Sequence, residues 1–128
     1  ATTKYGSEGQ NGVIEMSTQE EAYEKIFTKA EKMPEFPGGQ EGWLKHLMKN
    51  LRYPDAAIDK HVQGVARVSF IVDEAGKMSD FSIVDNPGEG LGEEALRVIK
   101  QGPDWVPARQ NGHKVKARVY QTITFKLD

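Results

Sequence analysis

Cysteine is absent from the 128 residues. That removes disulfides, thiolate zinc sites and cysteine nucleophiles. Long apolar runs are absent too, since no stretch approaches the roughly 18 residues of a membrane-spanning helix. No charged-then-apolar leader is visible, so any membrane anchor is expected to lie outside this chain. An excess of one charge sign is also missing. Seventeen basic and 19 acidic residues give −2, which removes general attraction to nucleic acid or anionic lipid.

Catalytic patterns are missing as well. His46, His61 and His113 share no metal-ligand spacing, so capping or solvated roles fit them. Gly6-x-x-Gly9-x-x-Gly12 leads into a β-prone run, whereas a phosphate loop follows a strand and opens a helix. Glu93-Glu94 fall at an expected helix start, where acids complement the macrodipole. No Gly-x-Ser-x-Gly elbow, Walker lysine or zincin pattern occurs. No enzymatic activity, cofactor or metal is expected.

What is present divides the chain at residue 33. Residues 1–33 carry Lys4, Lys25, Lys29 and Lys32 against Glu8, Glu15, Glu20, Glu21, Glu24 and Glu31. The remainder is neutral overall. Glycine-rich turn chemistry over Tyr5–Gly12 precedes a short β-prone run, Val13–Thr18. Thr18 with Glu21 has the form of a capping box. Ala22, Ile26 and Ala30 then mark an expected helical stripe through residue 32. One strand and one helix make no core, so this segment is expected to dock elsewhere, to be mobile, or to borrow an edge from another copy.

Pro34-Glu35-Phe36-Pro37-Gly38-Gly39 is a break that no helix interior tolerates. Residues 34–128 form the expected domain. Trp43, Leu44, Leu47, Met48 and Leu51 give one apolar helical face over 40–51. Tyr53-Pro54 ends that helix, and a helical turn is expected at 55–60. Ala66, Val68, Phe70 and Val72 alternate with Arg67, Ser69 and Asp73 over a strand at 64–73. A turn at Glu74–Gly76 and a second strand at 77–85 complete a hairpin. Met78, Phe81 and Ile83 break strict alternation, which predicts a bulge.

Leu91, Ala95, Val98 and Ile99 predict a second amphipathic helix, ending near Gly102-Pro103. Trp105–Ala108 reads as an extended connector, and Asn111-Gly112 as a turn. Trp43 and Trp105 sit beside apolar stripes and are expected in the core. The last strand, 114–127, turns Val115, Ala117, Val119, Ile123, Phe125 and Leu127 one way. Gln121 interrupts that face, and a second bulge is expected there. The order α-β-β-α-β predicts an α+β domain: a small antiparallel three-stranded sheet with two helices packed on one face.

A chain-terminal strand at a sheet edge exposes unpaired N–H and C=O groups. Such an edge accepts an added strand from a partner; equally, Arg109, Lys114, Lys116, Arg118 and Lys126 serve to blunt it against aggregation. Proline at Val119 or Ile123 tests the first reading if those N–H groups point outward.

Several motifs in order resemble one family. These are Pro34–Gly39, Asn50-Leu51-Arg52-Tyr53-Pro54-x-x-Ala57, Gln63-Gly64-x-Ala66-x-Val68-x-Phe70-x-Val72 and Gly76-Lys77-Met78. Glu94–Ile99, Trp105-x-Pro107-Ala108, Gly112 and Ile123–Leu127 follow. Together they resemble the C-terminal domain of TonB, in the form common in Bacteroidetes, over about three quarters of the chain. Leu51-Arg52 replace the Gln-Pro that precedes Tyr-Pro in the best-known members, and Gly92 stands where many relatives have a capping Asp.

The resemblance implies a periplasmic module tethered to the inner membrane in the full-length protein. Its missing N-terminal part would engage the inner-membrane proton-channel complex. Its partner would be a TonB-dependent outer-membrane receptor, captured by adding the receptor's TonB-box peptide to the sheet edge for active nutrient uptake. The implied binding residues are Lys116, Arg118, Val119, Tyr120, Gln121, Thr122, Ile123 and Thr124, with Arg52 and Tyr53 nearby. A homodimer through the same edge is a further expectation.

Residues 5–18 are similar to the closing segment of a TonB-dependent receptor plug. That tail also precedes TonB-like domains in membrane-bound metallopeptidase sensors of the antibiotic-response type. The resemblance thus implies an alternative role as the C-terminal regulatory or interaction domain of such a sensor.

Overall fold

The computed structural model describes residues 25–127. The expected strand at 13–18 and the capping box at Thr18 lie outside the described residues. Eight elements follow in chain order. They are β1 (Ile26–Phe27), α1 (Gly39–Asn50), α2 (Asp55–Asp59), β2 (Gly64–Val72), β3 (Met78–Asp85), α3 (Leu91–Gln101), β4 (Ala108–Gln110) and β5 (His113–Phe125).

The antiparallel three-stranded core runs β5-β2-β3, and the α+β class holds. Two short strands join it. β1 pairs with β5 in parallel, and β4 pairs with the start of β5. β4 escapes a reading of the sequence because three residues beside Pro107 carry no periodicity of their own. The helical stripe expected through residue 32 does not form in its described part. Residues 25–33 hold no helix, and Ile26 and Phe27 pair with Lys116 and Ala117 instead. A short helix is marginal alone, so over residues 26–27 backbone pairing to an available edge wins.

Alternation in β2 places Ala66, Val68, Phe70 and Val72 inside, all fully buried. Leu91, Ala95, Val98 and Ile99 of α3 cover them, as their i, i+4, i+7, i+8 spacing requires. α1 lies beside α3. His46 Nε2 donates to Val98 O at 2.8 Å, and Arg97 Nη2 donates to Asn50 O at 2.8 Å. Between α1 and the sheet, Phe36, Trp43, Trp105 and Phe70 form one aromatic cluster. Ring centroids there lie 5.2–6.2 Å apart in edge-on or tilted geometry, the arrangement ring quadrupoles favour. Both tryptophans are therefore core residues.

Gly42 makes the entry to α1 possible, because a Cβ there would strike the carbonyl oxygen of Pro37. The expected bulge in β3 is present. The β2–β3 register shifts between Ser69 and Ile71, and Asp80 adopts φ 54. A second shift falls between Arg67 and Val68. No bulge occurs at Gln121. The β2–β5 register runs unbroken from Gly64↔Phe125 to Val72↔Ala117, with Gln121 opposite Val68.

Gly92 lies inside α3 rather than at its cap. Asn86 Oδ1 accepts from Gly88 N at 2.9 Å and Gly92 N at 3.1 Å. A side chain from the preceding loop thus satisfies the first turn.

Candidate functional site

β5 is the long strand on which the site converges. Its neighbours fix what each residue does. β1 pairs at Lys116 and Ala117, while β2 pairs from Ala117 to Phe125. Ala117 has partners on both sides, so β1 and β2 flank β5 on opposite edges. β4 shares the β2 side, because the chain entering it is tied to the β2–β3 turn, where Trp105 N donates to Gly76 O at 2.9 Å. The parallel pairing of Phe27 with Ala117 uses the outward N–H of Arg118; beyond it no described strand pairs with the outer edge of β5, which is open over 119–125.

The turn sets which groups face that edge. Asn111 (φ 53) and Gly112 (φ 79) form a two-residue hairpin loop between Gln110 and His113. Its closing pair bonds His113 N–H back toward β4. Odd-numbered residues of β5 therefore direct N–H and C=O toward β4 and β2, and even-numbered ones direct them outward. The N–H of Leu127 obeys the same parity, donating at 2.8 Å to Gln63 Oε1 on the β2 side. The outward groups belong to Arg118, Tyr120, Thr122 and Thr124. Val119 and Ile123 bond inward to β2, so a proline at either would break the core ladder rather than test the edge.

Side chains alternate accordingly. Val119 and Ile123 are buried and Gln121 is half-buried on the helix-covered face. Tyr120, Thr122 and Thr124 are exposed on the other face, with Lys116 and Arg118 half-buried there. Arg118 reaches inward along the sheet, donating to Asp80 Oδ2 at 2.6 Å and Ser69 Oγ at 3.2 Å. The Arg67 guanidinium lies 4.8 Å from the Tyr120 ring centroid. Both guanidinium groups are thereby held over the sheet.

Tyr53 joins the far end of β5. Its ring meets Phe125 edge-on at 5.6 Å, and its hydroxyl donates to Val62 O. Arg52 is drawn toward α3 instead. Its N–H donates to Glu94 Oε2 at 2.7 Å. Glu94 also accepts from Arg97 Nε and Nη2 at 2.8 and 2.7 Å. Burial pushes the Glu94 carboxyl up, but the Arg97 and Arg52 hydrogen bonds outweigh it and hold the group below its ordinary value.

Reading the sequence missed a cleft that Gln121 of β5 borders. It encloses about 270 Å³ between the 34–40 segment, Trp43, Trp105 and Gln121. The break at Pro34–Gly39 was its only signal. Among the described residues no cluster of His, Asp and Glu could hold a metal. No described helix is long and apolar enough to cross a membrane.

Comparison with known proteins agrees with this architecture. Residues 49–127 match the family model described as Gram-negative bacterial TonB protein C-terminal. Protein TonB of Pseudomonas putida is 32% identical over 66 residues, covering 51% of this chain and 27% of that protein. The chain thus spans about a quarter of that relative's length. One NMR structure of Helicobacter pylori TonB-CTD aligns with TM-score 0.50 and 22% identity, covering 90% of this chain and 98% of that one. A second, shorter one gives TM-score 0.48 and 22% identity over 67% of this chain and 90% of that one.

Proposed function

The chain belongs to the Gram-negative TonB C-terminal family, and from that membership we propose that it is the receptor-docking module of a TonB-type energy transducer. It works in the periplasm and takes up the TonB-box segment of an outer-membrane receptor as an added strand. The whole protein, anchored in the inner membrane, would carry the coupling to the proton-channel complex. The observation that carries this reading is the open edge of β5, where Tyr120, Thr122 and Thr124 direct main-chain groups outward. Main-chain hydrogen bonds then supply affinity, and side-chain alternation supplies register.

The test is an amide chemical-shift titration with TonB-box peptides. Shifts are expected along 118–124 and at Tyr53. Tyr120→Pro removes an outward N–H while sparing the β2 ladder, so binding should be lost in a folded protein. Unchanged affinity in folded Tyr120→Pro, or no shift at millimolar peptide, refutes strand addition.

A further inference from the structure

Residues 25–35 pass around the β4–β5 hairpin, and the two ends of this segment are held very differently. The later end is fixed. Lys32 and Arg109 exchange two backbone hydrogen bonds at 2.8 and 3.1 Å, and Glu35 and Val106 exchange two more at the same distances. Glu31 clasps the turn: its N–H donates to Gln110 Oε1 and its Oε1 accepts from Asn111 N, both at 2.8 Å. The earlier end is β1, only 2 residues long. The parity of β5 leaves it two ladder bonds, Phe27 N–H to Lys116 O and Arg118 N–H to Phe27 O. Ile26 is 40% exposed and Phe27 half-buried, and neither joins the core cluster. Thr28 and Lys29, between the two ends, are exposed.

We propose that β1 is a displaceable strand that shares the docking edge: a short partner strand binds beside it, and a long one pairs in full only by lifting it off. The proposal rests on the strand-addition reading above. With β1 in place, Tyr120, Thr122 and Thr124 offer free outward groups; with β1 lifted, Lys116 and Arg118 offer theirs as well. Two ladder bonds and no fully buried side chain make β1 the kind of segment that opens locally. The fixed residues 31–35 keep the lifted segment beside the edge, so it returns at high effective concentration when the partner leaves. β1 thereby discriminates by strand length. The apparent affinity for a long strand is reduced by the fraction of molecules whose edge is clear.

The experiment compares two TonB-box peptides on the full chain, one of about five residues and one extended at both ends to about twelve, read by amide shifts and titration calorimetry. The long peptide should move the Phe27 amide to its free-chain position, and the short one should leave it in place. Phe27→Pro removes one of the two ladder bonds. It should bind the long peptide about three- to tenfold tighter than wild type and the short one equally. Ile26→Cys with Lys116→Cys provides the opposite perturbation. The two positions are register partners in a chain without cysteine, so their disulfide pins β1 to the edge. The long peptide should bind the oxidised form more weakly than the reduced form of the same variant. Equal long-peptide affinities for oxidised and reduced forms, or an unmoved Phe27 amide at saturation, with shifts present along 120–124, overturn displacement and leave strand addition standing. Absence of those shifts for both peptides overturns both.

Discussion

Removing Trp105 tests whether the aromatic cluster holds the domain together. The residue is 5% exposed, with centroids of Phe70, Phe36 and Trp43 at 5.2, 5.8 and 6.2 Å. Truncating a buried tryptophan to alanine costs about 3–5 kcal/mol. Three ring partners argue for the upper end, at roughly 0.5–1.5 kcal/mol each beyond area burial. An opposing effect is visible, however. Trp105 Nε1 is buried with no hydrogen-bond partner, and such a stranded donor costs about 1–3 kcal/mol. Truncation relieves that cost. The expected loss for Trp105→Ala is therefore about 3 kcal/mol, a large share of the roughly 5–15 kcal/mol that stabilises a domain. Trp105→Phe keeps an aromatic ring and deletes the stranded donor, so it should lie within about 1 kcal/mol of wild type. Urea unfolding with matched slopes measures both. If phenylalanine costs as much as alanine, the indole N–H is satisfied in solution and the reasoning fails.

Three other outcomes follow from the same coordinates. Gly42→Ala drives a methyl group into the Pro37 carbonyl, and the backbone shift should cost about 1–3 kcal/mol, read as a lowered melting temperature. Asn86→Ala removes the acceptor of Gly92 N–H in the first turn of α3 and of Gly88 N–H in the loop before it and should cost about 1 kcal/mol; Gly92→Ala, whose Cβ would lie 2.6 Å from Asn86 Oδ1, displaces the same acceptor, so the double variant should fall short of the sum. Glu94 has a folded-state pKa held below its ordinary value. Its contribution is thus complete above the unfolded-state pKa and disappears as pH falls through the folded one. Glu94→Gln should therefore narrow the stability gap between neutral pH and pH values below the ordinary carboxylate range, and an unchanged gap in urea midpoints would contradict this.

The legible parts of this fold are those where periodicity and burial coincide. The stripe Leu91, Ala95, Val98, Ile99 and the alternation Ala66 to Val72 specify α3 and β2 because each residue there is fully buried or nearly so. The failures share a cause. Ile26 and Phe27 join β5 through main-chain pairing with residues some ninety positions away, and no local pattern encodes that. Gln121 resembles a bulge because a polar residue interrupts an apolar face. In the structure it keeps perfect register and stays polar because it borders a cleft rather than packed core. At the site, the strand and its basic composition were readable from sequence. The parity of its outward groups depends on the Asn111-Gly112 turn closing on Gln110 and His113, which reversed the choice of Val119 and Ile123 as test positions.

The two borders of the sheet differ in a way that governs assembly. The β3 border is kinked at Asp80, and its pairing with β2 slips twice, so it offers a newcomer no continuous ladder. The β5 border is straight over residues 118–125. Among the described core strands, two copies joined through their β5 borders about a twofold axis would show the outside two kinked β3 borders. Growth through those borders would end at two. On the strand-addition reading, a molecule that offers its main chain to a partner would thereby be protected from becoming the seed of a fibre.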